Sequence, residues 1–81
     1  MSTTRSPLHA GTRLAWISWG VHPENGDVLA LVRAGEHGCA EIIVGHEAGP
    51  MGFFAVAIQI SDAGDETRHP LHLLTSYQLA K

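Results

Sequence analysis

A chain of 81 residues has room for one domain, and a domain of that size hides only about 60–65% of the surface its unfolded chain exposes, so its core is thin. Hydrophobic residues at 44% and charged residues at 16% exclude an intrinsically disordered chain. Eight acids against five Lys+Arg give a net charge of −3, the wrong sign for a protein that gains affinity by neutralising phosphates, so no direct nucleic acid binding is expected.

Residues 1–10 are polar and read as a loose arm on a single domain spanning 1–81. No apolar segment backs the charge near Met1, and the longest apolar run, Phe53 to Ile58, is too short for a bilayer. The expectation is a cytoplasmic protein with no membrane partner. From Arg13 to Val21, aromatic and β-branched residues predict a strand. Asn25-Gly26 then forms a type I′ hairpin turn, because both positions tolerate positive φ, and Val28–Arg33 is the partner strand. Gly35-Glu36-His37-Gly38 is a turn, and a third strand covers Cys39–Val44.

After the turn Gly49-Pro50-Met51-Gly52, the run Phe53–Ile60 is apolar at nearly every position, which predicts a strand covered on both faces. The bulkier set, Phe54, Val56, Ile58 and Ile60, is assigned to the core, and Phe53, Ala55, Ala57 and Gln59 to a face covered by another surface. Ser61–Pro70 is polar and reads as a solvated loop. Alternation from Leu71 to Leu79 predicts a last strand in preference to a helix. These elements predict a mainly β fold, a small curled antiparallel sheet or an SH3-like barrel of about five strands.

Six histidines raise the question of metal binding. His37, Cys39 and His46 are the candidate ligands, and no Cys-x-x-Cys or His-Glu-x-x-His spacing supports them. Cys39 with His37 or His46 would make a thiolate–imidazole pair only in an electropositive, accessible setting. A lone cysteine opening an apolar strand is more often a small core residue. One cysteine also excludes an internal disulfide. No serine lies in a Gly-x-Ser-x-Gly context, and the glycines 45, 49 and 52 lack phosphate-loop spacing.

The expected function is therefore non-catalytic and without cofactor: a small protein that binds and inhibits or modulates a larger protein or nucleoprotein complex. A phage-encoded inhibitor of a bacterial defence complex, such as an anti-CRISPR protein, is one form of it. The partner-binding candidates are Trp19 and Phe53, as aromatic anchors, with the acids Asp62, Asp65 and Glu66. A homodimer is a further way to cover an apolar strand face. The alternatives are a His-rich metal- or small-ligand-binding β-module and a small enzyme or enzyme subunit using Cys39 with a histidine. For the hairpin, Gly26→Val should cost on the order of 1 kcal/mol or more by forcing φ strain, read as a lower melting temperature.

Overall fold

The computed structural model describes residues 8–20 and 29–81; the Asn25-Gly26 turn lies outside them. Among the described residues there are six strands: β1 (Leu14–Trp19), β2 (Ala30–Arg33), β3 (Cys39–Gly49), β4 (Gly52–Ser61), β5 (Glu66–Pro70) and β6 (Ser76–Leu79), with a 3-10 turn at Leu71–Leu73. They form two antiparallel three-stranded sheets, ordered β2-β1-β6 and β3-β4-β5. Mainly β structure is thus what the turn punctuation predicted. No helix among the described residues is long and apolar enough to cross a membrane.

The two sheets meet at a corner. Gly11 N–H donates to the Val44 carbonyl and Val44 N–H to the Thr12 carbonyl, both at 2.8 Å, and Arg13 bridges Ile43. The chain before β1 therefore runs beside β3, and the arm is anchored sooner than its polarity suggested. Leu8 already packs against the core. After the 3-10 turn, β6 returns to pair with β1, which partly closes the fold. The core between the sheets is small, as the length requires: Leu14, Ile17, Cys39, Ile42, Val44 and Ala57.

Four expectations are corrected. The strands among the described residues number six, because the stretch read as a solvated loop contains β5, and only 62–65 form the turn. That turn is built on Ser61, whose hydroxyl accepts from the N–H groups of Ala63 and Asp65 at 3.2 and 3.0 Å. The tail is a 3-10 turn followed by β6 rather than one strand. The third strand runs on to Gly49, making a long hairpin with β4.

The fourth correction concerns β4, whose faces are the reverse of the size argument. Val44 pairs with Ala57 and Ile42 with Gln59, so the smaller set faces the core. Phe54, Val56, Ile58 and Ile60 lie on the outer face with Ile43, Gly45 and Pro70. Gly45 makes room there, because a Cβ on it would meet Ile58 Cδ1 at 2.7 Å. Val56 is nevertheless fully buried. Arg68 stands beside Ile58 and Glu47 beside Phe54, so their 2.8 Å ion pair spans β4 at the level of Val56. A second 2.8 Å bond ties Arg68 to Glu66.

This assignment makes a contrast testable by thermal denaturation. Ala57→Leu overfills the core and should cost about 1–3 kcal/mol. Phe53→Ser, on the same face but beyond the end of the core, should change stability by no more than about 0.5 kcal/mol.

Candidate functional site

The candidate metal ligands do not converge. His37 sits at the exposed turn between β2 and β3 with φ 52, a left-handed conformation held by Gly35 N–H donating to the Cys39 carbonyl at 2.7 Å. Cys39 is buried, and its thiol donates to the Glu41 carbonyl at 3.6 Å. His46 lies toward the far end of β3, where its Nε2–H donates to the Leu8 carbonyl at 2.8 Å. Among the described residues, no group of three or more His, Cys, Asp and Glu side chains stands close enough to hold a metal ion.

The Cys39 thiol is also set against nucleophilic use. Burial, and after it the negative charge of Asp62, push its pKa up, outweighing the backbone hydrogen bonding at Glu41 and Ile60 that pulls it down. The thiol stays protonated at neutral pH, as a small core residue would.

The acids named from the sequence fall in two settings. Asp62 and Asp65 are exposed on the Ser61 turn. Glu66 is on β5, engaged by Arg68, and Glu47 joins it through the same guanidinium. The polar composition of 61–70 marked the acids and gave no sign of the cross-strand partner, which depends on register.

The apolar candidates also separate. Phe53 is 81% exposed at the end of β4, and next to it Met51 is 97% exposed. Met51 was not singled out from the sequence, being read as part of a turn. Gly49 faces Gly52 in register, Pro50 suits the first corner position, and Gly52 takes φ 113, so a two-residue turn presents Met51 at its tip. Phe53 with His46, Phe54 and Ala55 lines a shallow hollow of about 160 Å³.

Trp16 and Trp19 do point to opposite sides, as their spacing on a strand requires. Trp16 is on the outer face of its sheet, its indole N–H donating to Gln78 Oε1 at 2.9 Å. Trp19 packs against the core and stacks on His69 with ring centroids 4.4 Å apart. The accessible part of Trp19 lines a hollow of about 250 Å³ together with Arg68, His69, Pro70, Leu73 and Leu74. No protein-family model, no curated protein and no solved structure matches the chain. The functional reading therefore rests on the geometry of the surface.

His69 links the two sheets, since its Nε2–H donates to Gln59 Oε1 at 2.9 Å while its ring stacks on Trp19 of β1. Burial holds its pKa below the ordinary imidazole value of 6.5. The unfolded chain then binds the proton more readily than the folded one, so stability rises with pH through this region. Melting temperature should fall as pH is lowered from about 6.5 through the depressed folded pKa, and this contribution should be flat above pH 6.5. A His69→Gln variant, compared by circular dichroism melts at pH 7.5 and 5, should lose that part of the pH dependence.

Proposed function

We propose that this chain is a small non-catalytic interaction protein that binds and inhibits or modulates a larger protein assembly in the cytoplasm. The observation that supports this reading is the hairpin tip, where Met51 and Phe53 are 97% and 81% exposed on a tightly specified turn. Burying an apolar side chain of this size is worth roughly 1.5–3 kcal/mol, which the isolated chain forgoes at both residues. A turn fixed by Pro50 and Gly52 loses little freedom when a partner closes over it. Methionine adapts to an irregular pocket, and phenylalanine supplies a rigid anchor.

The finer form of the proposal is an inhibitor that occupies a working surface of a larger protein or nucleoprotein complex. Phage-encoded inhibitors of bacterial defence complexes, anti-CRISPR proteins among them, are one such class. The negative charge of the chain favours a basic target surface.

The test is affinity enrichment from a bacterial lysate, with wild type compared against a Met51→Asp/Phe53→Asp double variant that keeps its β-sheet circular dichroism. A specific partner should be retained by wild type and reduced about tenfold or more by the variant, equivalent to about 1.4 kcal/mol. Equal retention, or none by either protein, overturns the proposal.

A further inference from the structure

The charges are segregated in space. Residues 39–70, which build β3, β4 and β5, carry Glu41, Glu47, Asp62, Asp65 and Glu66 against Arg68 alone, a balance of −4 in a chain whose net charge is −3. Three of these acids share the outer face of that sheet, since Glu41 and Glu66 flank Ile60 and Glu47 pairs with Phe54. Between them runs the apolar stripe of Ile43, Phe54, Ile58 and Ile60, each partly open to solvent. Asp62 and Asp65 close one end of the stripe on the β4–β5 turn.

Two cations border this face among the described residues: Arg68, which is already committed because it bonds both Glu47 and Glu66, and the exposed Arg13, which bridges Ile43 at the edge of β3. Those glutamate side chains stay 37% and 44% exposed, and a carboxylate has about four acceptor sites, so each can take further donors from above.

We infer that the outer face of β3-β4-β5 is a docking surface for a protein partner whose contact patch is apolar at its centre and rimmed with arginine and lysine. The inference rests on the reading of this chain as an interaction protein and names a second surface, apart from the hairpin tip. Charge complementarity selects the occupant: an acidic rim around an apolar centre steers and orients a basic surface. A second copy docked through the same face would bring two patches of the same net negative sign together, which disfavours it. Nucleic acid and anionic lipid carry the same sign as the rim and are repelled.

The experiment uses the full chain with isotope-labelled isoleucine methyls. The probes are two synthetic peptides of one alternating scaffold, the first with Val/Ile and Arg/Lys, the second with Glu at every basic position. The basic peptide should shift the methyl signals of Ile43, Ile58 and Ile60, and its affinity should weaken several-fold as salt screens the rim. Glu47→Gln/Glu66→Gln should weaken it by about threefold or more. Should that double variant fail to fold without its Arg68 contacts, the single variant Glu41→Gln carries the same test with a smaller loss.

An equal response to the acidic peptide overturns the inference. So do shifts confined to the Met51–Phe53 tip or to the Trp16 face, which would relocate the interface while leaving the interaction reading standing. Signals of this face that move with protein concentration alone assign it to a second copy and also overturn it. Absence of any peptide response defeats this surface, and the broader reading falls only if the tip variant also leaves partner retention unchanged.

Discussion

Ala57 sets how closely the two sheets approach, and much of the molecule follows from that one contact. It is fully buried opposite Val44, in a core that also contains Leu14 and Ile17 from the other sheet. A thin domain has no space between its layers for a second bulky row, because interiors are packed to crystal-like density. The large residues of β4 are therefore turned away from the core. An apolar outer face is the result, and Arg68 with its two glutamates lies across part of it. Ion pairs this exposed contribute little individually. Their effect here is steric as well, since the aliphatic stem of an arginine covers apolar surface while its head stays in water.

The parts of the fold that were legible in the sequence are those written in local chemistry. Gly20, the Gly35–Gly38 turn and the Gly49–Gly52 turn bound the strands where glycine frees the backbone to turn and proline fixes φ. What could not be read depends on neighbours distant in sequence. Gly45-His46-Glu47-Ala48 has no strand-like alternation, yet it is strand because Ile58 folds over Gly45 and Leu8 receives the His46 hydrogen bond. Glu66-Thr67-Arg68-His69 is polar throughout, and its two faces find different uses: His69 inward against Trp19, Arg68 outward across β4.

The candidate site shows the same division. Phe53 was recognisable because adjacent aromatics on a strand cannot both be buried by one sheet. Its neighbour Met51 was concealed by the turn that displays it. Proximity in sequence does not bring His37, Cys39 and His46 together: they are divided between an exposed turn, the core and the Leu8 backbone. Bulk was also a poor guide to direction on β4: the width left by the facing sheet decides which row goes inward, and one strand's composition does not contain it.

The two tryptophans give the molecule an optical asymmetry. Trp19 touches an imidazole at the seam between the sheets, whereas Trp16 is hydrogen-bonded to Gln78 on an outer surface. An indole against an imidazole loses emission when that ring takes up a proton, so Trp19 reports the state of the seam. Trp16 reports events on the outside of β2-β1-β6. Neither ring is at the Met51 tip, and Trp19 meets the β3-β4-β5 sheet only at the hollow it shares with Arg68, His69 and Pro70, so the tip and the far part of the outer face are dark to intrinsic fluorescence. A change in emission on mixing with another protein would therefore signal a rearrangement of the fold, contact with the opposite side or contact at the Arg68 border, and an unchanged spectrum is compatible with a partner seated on the β3 side of the acidic face.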